Sequence, residues 1–184
     1  MQNKKEKIEN FKIAISSTVR SLSNSQKIEV FFGNQISKSQ KESIKLPELE
    51  NLSNRINYEE IRAIADSKSL NYRFSNKNIL KKYEPDGNIS KKLYNISEKI
   101  RCEKIGTSYF KGVKRNIEKF YNKRILSLDL KSSEDKIVEA FENLLRVKLL
   151  DFKNENQAEK KFKTYKKDLN NQFKDSIADL KNLK

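Results

Sequence analysis

The chain has 184 residues, 35% of them hydrophobic, enough for one domain of ordinary size or one domain with a helical extension, but not for two large ones. With no histidine and a single cysteine, Cys102, it lacks the commonest zinc ligand, the usual general base and any internal disulfide, which removes most hydrolase and metalloprotease chemistry. The net charge of +15 points towards polyanions, yet 32 of the 40 basic residues are lysine, beside 20 asparagines and 18 isoleucines, a composition that an AT-rich genome writes into any protein.

The excess charge is uneven: residues 1–130 hold 27 basic and 15 acidic side chains, and the stretch 99–124 holds nine basic residues against Glu103 and Glu118. No run approaches the roughly 20 apolar residues that cross a bilayer, and MQNKKEKIENFKI lacks the apolar segment of a secretory signal. A soluble, cytoplasmic protein is expected.

Ile8, Phe11, Ile15, Val19 and Leu22 recur at three- and four-residue steps and predict a first helix ending at Ser23-Asn24-Ser25. Ile28–Phe32, short, β-branched and aromatic, reads as a strand, and Ile44-Lys45-Leu46 before Pro47 is its expected mate. The loop between them is too long for a tight turn. Asn57 with Glu60 resembles a capping box opening a helix whose face is Ile61, Ile64, Ala65 and Tyr72. A short helix around 78–83 is closed by Pro85-Asp86-Gly87. Ile89, Leu93, Ile96 and Ile100 define the next helix, and a 100° wheel puts Glu103 beside that stripe, where a carboxylate needs a partner.

Val113, Ile117, Phe120 and Tyr121 carry the following helix to near Arg124. Ser132-Ser133-Glu134-Asp135 caps another, with Ile137, Phe141, Leu144, Leu145 and Leu149 as its expected buried face. Phe162, Tyr165, Leu169, Phe173, Ile177, Leu180 and Leu183 predict a long last helix with a coiled-coil-like seam. It reaches the last residues without a stop signal, which suggests truncation of a longer protein. The expected fold is mainly α, with a small two-stranded element near 28–46: a domain over 1–130 containing a β-hairpin, and a helical extension over 131–184.

No nucleotide-binding glycine loop is present. Asp66-Ser67-Lys68-Ser69 departs from the Asp-x-Ser-x-Ser of a metal-binding von Willebrand A loop, because Lys68 stands where the first serine is needed, so no metal site is expected there. Cys102 has no histidine to activate it and reads as incidental. Glu98 and Glu103, five residues apart, do not share a helix face, so no catalytic carboxylate pair is expected. Gly106 and Gly112 sit about 240° apart on a wheel, which predicts either close approach of a neighbouring helix or a break near Tyr109.

A series of short motifs resembles one family. Lys45-Leu46-Pro47-Glu48, then Arg62-Ala63-Ile64-Ala65-Asp66-Ser67-Lys68-Ser69-Leu70, then Glu98-Lys99-Ile100-Arg101-Cys102-Glu103-Lys104-Ile105-Gly106, then Gly112-Val113-Lys114-Arg115-Asn116 are similar, in order and spacing, to the N-terminal domain of the CobT subunit of aerobic, ATP-dependent cobaltochelatase. Phe11, the run Ser17-Thr18-Val19-Arg20 and the IEVFF strand fit its opening helix and strand, so the likeness covers about residues 10–150. Where family members often carry histidines and an aspartate, this chain has Tyr72-Arg73-Phe74-Ser75-Asn76, so any role of those histidines is lost.

The resemblance implies a non-catalytic adaptor in a machine that inserts Co²⁺ into a corrin ring in cobalamin biosynthesis. Its implied partners are a ring-forming AAA+ ATPase subunit of CobS type and a large catalytic subunit of CobN type. ATP with magnesium and cobalt belong to the complex, and no cofactor is expected in this chain. It also implies an acidic linker and a von Willebrand A domain after residue 184. Arg62, Asp66, Glu98, Arg101, Glu103, Gly106, Gly112 and Asn116 are the motif residues, expected to be structural or interfacial, with Glu103 meeting Arg62 or Arg101. Two readings compete: a basic helical module binding nucleic acid through 99–124, and a scaffold self-associating through Phe162–Leu183.

Overall fold

A computed structural model describes residues 2–34, 42–49, 58–127 and 133–152. The protein is mainly α: the described residues form six helices and a two-stranded sheet. The chain divides into two compact units, 1–74 and 75–184. The seam from Phe162 to Leu183 and the capping residue Asn57 lie outside the described residues.

In the first unit, helix α1 (Gln2–Ser23) buries the predicted stripe of Ile8, Ile15, Val19 and Leu22. It ends where Asn24 takes a left-handed φ of 53°, a conformation asparagine tolerates better than most residues. The stripe packs on helix α2 (Tyr58–Phe74) through Ile61 and Ala65. Val19, Ile28 and Ile61 are at most 1% exposed, and each such side chain contributes roughly 1.5–3 kcal/mol by leaving water.

Strands β1 (Glu29–Phe32) and β2 (Ser43–Leu46) occur as expected, but they pair in parallel, from Glu29 opposite Ser43 to Phe32 opposite Leu46. This overturns the hairpin reading. Gly33, at a φ of +66°, turns the chain out of β1, and β2 begins beside the residue where β1 began. Ile44 and Leu46 then face the core while Ser43 and Lys45 are exposed.

The second unit holds helices α3 (Lys77–Lys82), α4 (Asn88–Tyr109), α5 (Lys111–Ser127) and α6 (Ser133–Leu150), with α4 packed on both α5 and α6. The Asn76 side chain caps α3 by accepting from the amides of Asn78 and Ile79. The helix break expected near Tyr109 falls at Phe110, which leaves helical geometry at φ −120°, ψ 87°. Its amide bonds the Gly106 carbonyl at 2.9 Å, and its carbonyl accepts from Val113 and Lys114, so one residue closes α4 and opens α5. Gly106 is buried in α4. A Cβ on Gly112 would meet open space, so close approach of a helix is not the reason for glycine there.

Candidate functional site

Three helices of the second unit converge their ionisable side chains. On α4, Lys99 and Glu103 are one turn apart. On α5, Tyr121 and Arg124 sit three apart. On α6, Glu139, Glu142, Asn143 and Arg146 follow the spacing of a helical face, beside the apolar face of Phe141, Leu145 and Leu149, and all seven of these α6 side chains are buried.

Arg146, 1% exposed, is the centre of the cluster. Its guanidinium donates to both oxygens of Glu103, to Oε2 through Nη1 and to Oε1 through Nη2 at 3.4 Å, and Nη2 also reaches Glu142 Oε1 at 2.8 Å. Its Cζ lies 3.5 Å from the centroid of the Tyr121 ring, a desolvated cation–π contact. Lys99 Nζ donates to Tyr121 Oη at 2.8 Å and stands 3.4 Å from Glu142 Oε1. Arg124 Nη2 bonds Glu139 Oε2 at 2.8 Å, and Asn143 Nδ2 bonds Glu139 Oε1 at 3.1 Å. Three carboxylates thus face three cations, which makes burial of the group tolerable. The Nε of Arg146 and the Oδ1 of Asn143 have no hydrogen-bond partner, a cost the packing carries.

The electrostatics follow from this packing. Burial alone would raise the Glu142 carboxyl, but Arg146, Lys99 and Arg124 outweigh it and hold it down at about 2. Burial would lower Lys99 and Arg146, and their anionic surroundings raise both instead. At Glu139 burial prevails over Arg124, so its carboxyl stays above the ordinary range, and the buried Tyr121 hydroxyl is raised too. The arrangement chemically favours fixed charges that clamp α4, α5 and α6 together. Among the described residues no group of three or more histidine, cysteine, aspartate or glutamate side chains is placed to hold a metal ion, and no helix is long and apolar enough to cross a membrane.

Beside the cluster, Arg101 grips Glu98 with two bonds of 2.7 and 2.9 Å. Burial raises the Glu98 carboxyl, and bonds from Arg101 and Ser75 more than reverse it. Cys102 is buried, and burial together with Glu98 pushes its thiol up to about 12.

Residues 5–184 match the model of a family described as cobalamin biosynthesis protein CobT. The chain belongs to the CobT family. Membership implies involvement in cobalamin biosynthesis and its cobaltochelatase. No solved structure matches the chain.

The CobT-like motif residues fall into two groups. Arg62 is exposed and Asp66 buried on α2 of the first unit. Glu98, Arg101, Glu103 and Gly106 belong to α4, Gly112 is exposed on α5, and Asn116 is half-buried there. The expectation that Glu103 meets Arg62 or Arg101 is corrected: Arg146 of α6 holds it, while Arg101 reaches back one turn to Glu98.

Sequence reasoning missed Lys99, Tyr121, Arg124, Glu139, Glu142, Asn143 and Arg146. A signal existed in the second, polar stripe of α6, a helix otherwise rich in leucine, and in the use of arginine by a chain that prefers lysine. Arginine's planar fork suits buried carboxylates. The nucleic-acid reading also loses substance, because Lys99, Arg101 and Arg124 are engaged with carboxylates inside the unit and Lys104 stands 3.5 Å from Asp151.

Proposed function

We propose that the chain is a non-catalytic adaptor of an ATP-dependent cobaltochelatase, working in the cytoplasm, that holds a CobT-type subunit against a ring-forming AAA+ ATPase of CobS type. ATP with magnesium binds that partner, cobalt and the corrin ring are substrates of the large CobN-type subunit, and this chain couples ring motion to insertion. The family match over residues 5–184 carries the reading. The clamped helices of the second unit support it, since an element that transmits force between subunits has to keep its own helices in register, and buried salt-bridged networks specify register.

Mixing the chain with a CobS-type subunit and ATP, and measuring mass by size-exclusion light scattering, tests it. A complex of defined stoichiometry is expected, and cobalt insertion by the three-subunit mixture should fall when this chain is left out. Absence of any complex, with insertion unchanged, overturns the proposal.

A further inference from the structure

A cleft of about 720 Å³, a size usual for small-molecule sites, opens in the first unit. The end of α1, the turn after it and the starts of β1 and β2 surround it. Arg20 and Lys27 supply its cations, Glu29, Glu42 and Tyr72 further polar walls, and Ile28 with the Tyr72 ring an apolar surface.

Arg20 is the group that the fold leaves incomplete. It stands half-buried in the last turn of α1, where a cation suits the helix dipole, and its Nε donates to the Ile28 carbonyl at 3.3 Å, which anchors the guanidinium at the cleft. Among the described residues no hydrogen bond or ion pair uses its Nη1 or Nη2. Arg101, Arg124 and Arg146, by contrast, each turn that end of the side chain onto a carboxylate. A lysine would serve the dipole equally well, and the chain has 32 lysines against 8 arginines, so what arginine adds at position 20 is the planar pair of donors. Lys27, exposed on the turn that follows, brings a second positive charge to the same cleft.

The remaining walls narrow the class of ligand. Glu42 accepts from the Tyr72 hydroxyl, and Glu29, Glu42 and Tyr72 all have further contacts in the chain, so they are walls held in place rather than free acceptors. Two carboxylates accompany the two cations, so the cleft has no net pull on a polyanion, and a second negative charge on a ligand would stand beside acids. Two parallel N–H donors match the two oxygens of one carboxylate. Ile28 and the Tyr72 ring offer cover to a short hydrocarbon body. We infer that the cleft binds a small organic monocarboxylate, its two oxygens on Arg20 Nη1 and Nη2 and its apolar body against Ile28 and Tyr72.

Titration of the full chain with butyrate at constant ionic strength, followed by amide and arginine Nε shifts in nitrogen-15 NMR spectra, tests the inference. Butyrate should give saturable shifts confined to Arg20 Nε and to the amides of 25–29 and 42–43. Butyramide, nearly the same shape without the charge, should give none, and succinate and inorganic phosphate should bind more weakly than butyrate despite their greater charge. Arg20→Lys keeps the charge and removes the fork, so it should weaken butyrate about 10-fold with the rest of the spectrum unchanged. Lys27→Gln, at an exposed position, should weaken it about 3-fold with the fold intact. Shifts that rise without saturation, that spread over the basic surface or that butyramide reproduces overturn the inference. So does Arg20→Lys binding butyrate as the wild type does, or, where that variant fails to fold, an unchanged affinity in Lys27→Gln. Succinate or phosphate binding more tightly than butyrate makes the cleft a general anion site and overturns the monocarboxylate assignment.

Discussion

Replacing Arg146 by methionine is the sharpest test of the clamp. Methionine fills much of the same volume, so the main loss is charge: Glu103 and Glu142 are left buried beside a thioether, and the Tyr121 ring loses its cation. Removing one partner of a buried pair costs about 3–5 kcal/mol. For a chain of this size each kcal/mol moves the midpoint by roughly 2–4 °C, so thermal unfolding followed by circular dichroism at pH 7 should drop by about 10 °C or more.

Two signatures separate this from ordinary damage to packing. Once the guanidinium is gone, burial raises the Glu142 carboxyl, and the folded variant takes up a proton as the solution is acidified, so its deficit against wild type should narrow between pH 7 and pH 4. Adding Glu103→Leu removes the carboxylate that Arg146→Met orphans and leaves Glu142 with Lys99 and Arg124, so the double variant should regain most of the loss. A loss below about 1 kcal/mol at pH 7, a deficit independent of pH, or a double variant as unstable as the sum of the single ones would refute the reasoning.

Wild-type stability carries a pH dependence of its own. The Glu142 carboxyl, at about 2 against the ordinary 4.5, contributes stability that is fully present above pH 4.5 and is lost as the pH falls towards 2, an amount of about 3 kcal/mol that Glu142→Gln should abolish in denaturant titrations. Glu139, raised by burial, has the opposite sign, so Glu139→Gln should lose less stability at pH 7 than Glu142→Gln does. Cys102, fully buried with its thiol at about 12, should resist a thiol-disulfide reagent in the native chain at pH 8 and react at once in 6 M guanidinium; rapid native labelling would contradict the packing around α4. The two outlying glycines should respond oppositely: Gly112→Ala, with open space for its methyl, should stabilise by about 0.5 kcal/mol, whereas Gly33→Ala, forced into left-handed φ against the Glu48 side chain, should destabilise by about 1–2 kcal/mol, both read from urea unfolding.

The helices were legible because their signal is local. Apolar residues at three- and four-residue steps announced α1, α5 and the apolar side of α6, and the turn residues Asn24 and Gly87 stand where the chain takes positive φ. The stripe of α4 was weaker evidence: Ile100 is buried, but Leu93 and Ile96 are half-exposed, and the deeply buried surface lies further on at Cys102, Glu103, Gly106 and Thr107. Asp66, Ser67 and Ser69 on α2 and the polar face of α6 are buried against the rule that polar residues lie outside.

Amino-acid order by itself determined the mainly helical class, the two strands, the absence of histidine chemistry and the family, because each depends on residue type and near spacing along one chain. Tertiary structure decided the rest. Strand direction depended on which end of β1 the start of β2 lies beside, and β2 could satisfy its alternation either way. Glu103 could have paired with any of 40 basic residues, and its choice of Arg146, 43 positions away, exists because α6 packs against α4 with its polar face inward. Charge pairing in a protein interior is a property of which surfaces meet and exclude water, and no spacing along a single chain encodes that.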